Sequence, residues 1–258
     1  MGGRLQRGRD YLSIVVAAVV LILVWKVASL FVGLEIILPS PEATFRELVA
    51  IAGTRSFAAS VVTTVTRGLT GFGIAVGAGL LFGAAAGLKR VFEGLLHPLV
   101  TVIRSTPVVA IILIALIWFE TTFVPVFVTV LMTFPVVYEN VVQGIRAVDE
   151  KLVEMCRAYR IARVRRWLRV YLPSVFPFLA AAGRTALGLT WKVVVAAEVL
   201  SVPRFGVGAE LQEARVLLET PLVFAWTAVA VLLSALTDIL FLLLTRKRRR
   251  IMAKGAAA

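Results

Sequence analysis

Residues 154–173 read EMCRAYRIARVRRWLRVYLP, a basic segment set between long apolar runs, with its own apolar side chains at helical intervals. Asp149 is suited to cap a helix, and Glu150 and Glu154 put negative charge near the positive end of its dipole. Leu152, Met155, Cys156 and Tyr159 recur at i, i+3, i+4 and i+7, giving one apolar face rimmed by Lys151, Glu154 and Arg157. Such a face suits docking onto another protein. The plainer alternative is an amphipathic helix lying on anionic lipid.

A second set of charges lies inside apolar sequence: Arg184, Lys192, Glu198 and Asp238, with Arg104 at the edge of another apolar run. At about 100° per residue, Arg184, Lys192 and Glu198 fall at roughly 0°, 80° and 320° on one helix, a single broad face. Charge turned toward lipid costs roughly 2.5–3.5 kcal/mol per residue even on the lenient insertion scale, so this face is expected to point inward. With Arg104 and Pro107 from the preceding part of the chain, these residues are expected to line a polar path. Lys192 beside Trp191 gives that path a positive lining suited to an anionic or electron-rich solute. Snorkelling is the alternative for Glu198 and Arg104. A charge relay in an ion-coupled secondary transporter is the alternative for Arg184, Lys192, Glu198 and Asp238.

Other chemistry is excluded. There is no G-x-x-x-x-G-K-[ST] phosphate loop, no G-x-S-x-G elbow and no H-E-x-x-H helix, so the chain cannot hydrolyse ATP itself. His97 is the single histidine and precedes Pro98 at a loop boundary, which suits a structural role. Cys156 is the single cysteine, so neither an internal disulfide nor a cysteine zinc site forms.

The elements that must position these residues are membrane spans. With 60% hydrophobic and 17% charged residues, the chain lies far to the apolar side of a soluble domain. Spans of about 20 apolar residues are expected near 11–32, 58–88, 98–119, 121–143, 170–200 and 220–245, with the basic segment 148–169 outside them. The first run is too long for the hydrophobic region of a signal peptide and reads as an uncleaved span. The formal charge of +13 is not one patch: every second loop is basic, with eight basic residues from Arg146 to Arg169 and six from Arg246 to Lys254. This is the positive-inside pattern of six spans with both termini cytoplasmic, and it leaves no case for nucleic acid. Glycines at 68, 71, 73, 77, 79, 83 and 87 give the second span small-xxx-small pairs at 73/77, 79/83 and 83/87, which suit close helix packing within one subunit or between subunits. Pro41 and Glu42 are placed to open a short helix over 43–52.

Glu154, followed by Ala158 and Tyr159 and then by Leu172-Pro173, resembles the EAA loop of binding-protein-dependent ABC importer permeases. The chain resembles the nitrate, sulfonate, taurine and thiamine-precursor branch of that family over most of its length. The matching stretches are LPSP at 38–41, Leu96-His97-Pro98-Leu99, Ile103-Arg104-Ser105-Thr106-Pro107, Trp118-Phe119, VDEKL at 148–152, RTALG at 184–188, Trp191, VAAE at 195–198 and TPLVFAW at 220–226. The resemblance implies an all-α type I importer permease, a single domain over 1–258, in a bacterial inner membrane.

It further implies two ATP-binding subunits docked on Leu152, Glu154, Met155, Cys156, Arg157, Ala158, Tyr159, Arg160, Leu172 and Pro173. An extracytoplasmic binding protein, a second permease copy and membrane lipid are the other implied partners. No cofactor is expected in this chain, ATP and Mg being bound by the partner subunits. The implied solute is a small sulfonate, nitrate, taurine, or a pyrimidine- or flavin-type vitamin or precursor. Met155 and Cys156 stand where the family has alanines, Val170 where isoleucine is usual, and Arg160 where it has glycine. A left-handed turn there costs an L-residue roughly 1–2 kcal/mol, so the turn is expected to be rebuilt or Arg160 offset by an acidic partner on the ATPase.

Overall fold

The computed structural model describes the backbone of residues 2–255 and the side chains of residues 16–245, and the described residues form helices and loops without strands. In chain order the helices are α1 (Gly2–Val32), α2 (Pro41–Ala52), α3 (Arg55–Leu88), α4 (Arg90–Ser105), α5 (Val108–Trp118) and α6 (Val124–Arg146). There follow α7 (Glu150–Ala158), α8 (Arg163–Arg166), a π-helical turn (Trp167–Tyr171), α9 (Leu172–Ser201), α10 (Val207–Val216) and α11 (Thr220–Gly255).

The centre of the bundle is the stack of α3, α6 and α9. α3 approaches α6 so closely that a methyl group at Gly79 would stand 2.6 Å from Val137 Cβ, and one at Gly83 would stand 2.9 Å from the Tyr138 carbonyl. Gly71 and Gly87 meet Thr129 and Ile145 in the same way, so four glycines on one face of α3 are matched by one stripe of α6. Gly73 and Gly77 face open space, so of the expected small-residue pairs only 79/83 and 83/87 form this contact. Val137, Val141, Ile145, Val175 and Ala186 fill the α6–α9 side of the core.

Among the described residues four helices are long and apolar enough to cross a membrane: Arg55–Leu88, Val124–Arg146, the continuous Arg163–Ser201 and Thr220–Thr245. The span expected over 98–119 is not one helix. α4 and α5 meet at 102°, and together they make at most a fifth crossing. Pro107 explains the break: it disfavours helical geometry in the residue before it, and Thr106 accordingly adopts φ −79° and ψ 127°. The two pieces also differ in character. α4 is amphipathic and paired to α6 through Arg104–Glu139 and Glu93–Arg146, whereas α5 packs Ile111, Ile112 and Ala115 against α6 and α9. In α1 the described apolar stretch is the shorter Val16–Val32.

Local signals set the remaining elements. Ser40 Oγ accepts from the Ala43 amide at 3.2 Å and Pro41 occupies the first turn of α2, so that helix starts where its proline and cap place it. α1 is tied to the same turn by Trp25 Nε1 donating to the Pro39 carbonyl at 3.0 Å and by Lys26 on Glu42 at 2.8 Å. The hydrogen bond from the Lys26 ammonium holds the Glu42 carboxyl below its usual range.

Gly83→Ala should collapse the α3–α6 contact, because the added methyl meets backbone, while Gly77→Ala should be tolerated. Expression and the melting temperature of the two variants in detergent check this; equal melting would show that the close approach does not hold the bundle together.

Candidate functional site

α7 stands apart. It packs closely against none of the other helices, yet it is well formed at both ends. Asp149 caps it, its carboxylate accepting from the Lys151 amide at 2.8 Å. At the other end Ile161 N–H donates to the Cys156 carbonyl at 2.9 Å and Arg160 N–H to the Arg157 carbonyl at 3.0 Å, the paired bonds of a Schellman stop. Arg160 takes the left-handed conformation, φ 52°, so the turn keeps the geometry that glycine favours, and the exposed side chain makes no ion pair among the described residues.

Leu152, Met155 and Tyr159 are exposed, Tyr159 at 78%. Glu154, Arg157 and Ala158 are exposed beside them. Cys156, assigned by spacing to the exposed face, is instead buried at 2% and closes the inner side of the helix. Glu154, Glu150 and Arg157 border a cleft of about 770 Å³ between α7 and the bundle, whose far wall carries Arg90, Glu93 and Arg146. Leu172 and Pro173 lie beyond α8 and the π turn, where they open α9.

The intramembrane charges divide into three places. Arg184 and Lys192 line an open groove of about 1170 Å³ between α9 and α11, otherwise walled largely by Leu189, Trp191, Val195, Leu211 and Val231. Arg184 is clamped there by Asp238, with Nε and an Nη each 3.0 Å from a carboxylate oxygen. Lys192 is exposed in the groove and has no acidic partner among the described residues. Arg104 and Pro107 sit apart from the groove at the α4–α5 bend, Arg104 paired with Glu139.

Glu198 does not share the groove-facing side of α9. It is fully buried, and its carboxylate accepts from Arg67 at 2.8 Å, from Thr64 Oγ1 at 2.8 and 3.0 Å and from the Gly208 amide at 3.1 Å. Arg67 also donates to the Phe205 carbonyl at 2.7 Å, and Thr64 Oγ1 accepts from the Val207 amide at 2.8 Å. The loop that closes this network is shaped by Val202, left-handed at φ 43°, and by two glycines. A methyl group on Gly206 would fall 2.7 Å from the Glu198 carboxyl carbon, and one on Gly208 would fall 2.4 Å from the Val195 carbonyl. Arg67, Thr64, Gly206 and Gly208 were not among the residues singled out from sequence. The available signals were an arginine at the edge of an uncharged run and a G-x-G just past the end of a span.

The sequence matches the family described as binding-protein-dependent transport system inner membrane component over residues 75–250. The chain belongs to that family. It is 32% identical over 228 residues to the putative aliphatic sulfonates transport permease protein SsuC of Escherichia coli strain K12, covering 88% of this chain and 86% of the relative. It is 30% identical over 236 residues to the taurine transport system permease protein TauC of the same organism, covering 88% and 85%. Among solved structures, a chain from a bacterial ABC transporter involved in the import of alginate superposes with a TM-score of 0.61 at 13% identity, covering 95% of this chain and 99% of that one. A chain of the MetNI methionine ABC transporter gives 0.51 at 18% identity, covering 72% and 91%. The protein is therefore an inner-membrane permease subunit of an ABC importer, with ATP hydrolysis in separate ATPase subunits. That membership removes the ion-coupled alternative. In this permease Arg184–Asp238 and Arg67–Glu198 are closed ion pairs within the chain.

Removing one member of a buried pair leaves the other charge uncompensated, at about 3–5 kcal/mol. Arg67→Ala should therefore lower the melting temperature of the purified permease sharply, and adding Glu198→Gln should recover part of the loss. A single variant that melts like the parent would show that the network contributes nothing to holding α3, α9 and α10 together.

Proposed function

We propose that α7 is the helix through which two ABC ATP-binding subunits, one on each of two permease copies, drive transport. The observation that carries this is the exposed Leu152, Met155 and Tyr159 on one side of a capped helix, a side that no described residue covers. An apolar stripe with a charged rim on an unsupported helix gains most when a partner buries it. Glu154 and Arg157 add exposed charge on the cleft side of the same helix, and Arg160 holds the turn at its end. In this reading α7 and both termini are cytoplasmic, ATP and Mg are held by the ATPases, and this chain carries no cofactor. An extracytoplasmic binding protein delivers solute on the other side. Leu172 and Pro173, at the start of α9, then transmit the motion of the docked segment into the bundle.

The solute path in this reading includes the α9–α11 groove, with Lys192 as its free positive charge and Arg184 set by Asp238. Arg104 and Pro107 contribute at the α4–α5 bend. A cation without an acidic partner, in a largely apolar wall, favours a small anionic group such as a sulfonate, in keeping with the sulfonate and taurine permeases to which the chain is similar. Glu198 acts on this path indirectly, by fixing α10, whose Leu211 forms part of the groove wall.

Glu154→Arg should release the ATP-binding subunits in a pull-down, or uncouple hydrolysis from uptake, with the melting temperature of the permease unchanged. Normal coupling in that variant would overturn the docking role. Lys192→Met should weaken uptake of a small sulfonate several-fold while the ATPases stay bound; unchanged uptake kinetics would leave Lys192 as a structural charge only.

A further inference from the structure

The arginines that follow α7 are, apart from Arg160, not absorbed by any of these roles. Arg160, Arg163, Arg165, Arg166 and Arg169 lie within ten residues, and no Asp or Glu occurs between Glu154 and Glu198. Among the described residues none of the five forms an ion pair, whereas Arg104, Arg146 and Arg184 all do. Val164, Leu168 and Leu172 are exposed at 71%, 59% and 44%, spaced four residues apart along one side of the helix that becomes α9. Arg165 and Arg169 flank that stripe on one side, and Trp167 and Tyr171 flank it on the other. The two aromatic rings stack with centroids 4.7 Å apart across the π turn, where Leu172 N–H donates to the Trp167 carbonyl. The extra residue of the π turn brings side chains four apart nearly into line, which permits the stack.

We infer that this segment is a binding surface for anionic phospholipid headgroups at the cytoplasmic face of the bilayer. Val164, Leu168 and Leu172 rest on the acyl boundary, and the arginines engage lipid phosphates. The inference rests on the orientation proposed above, in which α7 is cytoplasmic. Three observations favour lipid over a protein partner. The stripe runs without a break into a helix apolar enough to span the membrane, so its outer residues lie level with the headgroups. Stacked amphipathic rings beside it suit the interfacial belt. Guanidinium groups on long apolar stems reach outward to phosphate while their stems cover apolar surface. Clusters of basic residues immediately cytoplasmic of a span attract anionic lipid, and among the described residues the five arginines have no acidic partner to neutralise them.

The test uses the permease assembled with its ATP-binding subunits in nanodiscs of equal phosphatidylglycerol and phosphatidylcholine. The lipid retained by the complex is quantified by mass spectrometry. The parent should retain phosphatidylglycerol preferentially, and a triple Arg163→Gln, Arg165→Gln, Arg169→Gln variant should lose that preference by about fivefold or more, each arginine near a charged surface contributing about that factor. The ATP-binding subunits should remain bound. Equal retention of the two lipids by parent and variant would overturn the proposal. So would loss of the ATP-binding subunits with lipid preference unchanged, which would assign the arginines to protein docking. Labelling of a cysteine placed at Arg163 from the outside of intact cells would overturn the orientation, and with it the ATPase docking of α7, without altering the nanodisc preference. A variant that fails to assemble is replaced by parent complexes titrated with salt, in which the same preference should fall as ionic strength rises.

Discussion

A carboxylate with no exposed surface must have every lone pair answered from within the chain, and Glu198, on α9, has its answers from two other elements at once. Arg67 and Thr64 come from α3, and the Gly208 amide comes from the start of α10. Desolvating such a group is costly unless charge and hydrogen bonds compensate it, and the compensation here is complete only when all three elements are seated together. That requirement dictates the neighbouring backbone: a left-handed valine at the end of α9, and glycines where any side chain would strike the carboxylate or the helix beneath it. The α10 end of the bundle is thus fixed by polar contacts. Glu210 extends the pattern, accepting from Ser56 and Ser60 at 2.8 Å each. The central region follows a different rule, in which glycine lets α3 and α6 meet almost backbone to backbone and dispersion contacts supply the cohesion.

These two modes of attachment separate a fastened end from a free one. At the α10 end the polar groups interlock. At the α7 end the ion pairs Arg104–Glu139 and Glu93–Arg146 lie on exposed surface between α4 and α6, and exposed pairs contribute little to stability. Beyond them lies the cleft beneath α7. A bundle that is interlocked by polar groups at one end and carries a largely uncovered short helix at the other is suited to receive movement at the second and deliver it as a change in packing around the first.

Much of this was legible in the sequence, and the misses have physical causes. Local chemistry was readable: Asp149 caps α7 and Pro41 opens α2, whereas the turn after α7, expected to be rebuilt or compensated with arginine in place of glycine, keeps its left-handed geometry. Periodicity identified the exposed stripe of α7 but misplaced Cys156, because a pattern of apolar residues does not say which member of a wide face turns inward. Hydropathy averaged over a span could not see the 102° break between α4 and α5, since only the short polar stretch Arg104-Ser105-Thr106-Pro107 marks it. The face angles put Glu198 with Arg184 and Lys192 on α9, yet a face 120° wide is shared between the groove and the buried side. The partners of Glu198 lie more than 130 residues away, or beyond a loop whose fold depends on the contact itself, and no local signal encodes such pairings. Arg184 and Asp238 were both noted as intramembrane charges, but that they clamp each other is a property of how α9 and α11 cross.

The isolation of α7 has a mechanical side. A short helix that packs closely against no other described helix transmits load chiefly through its two attachments: the Ala147-Val148 link to the end of α6, and the left-handed Arg160 turn leading through α8 to α9. α6 and α9 are packed against each other along the core, so the arrangement is a stirrup hung from two struts that share a common seam. Tension applied to the stirrup loads both struts axially and in the same direction, whereas torque on it shears the seam between them.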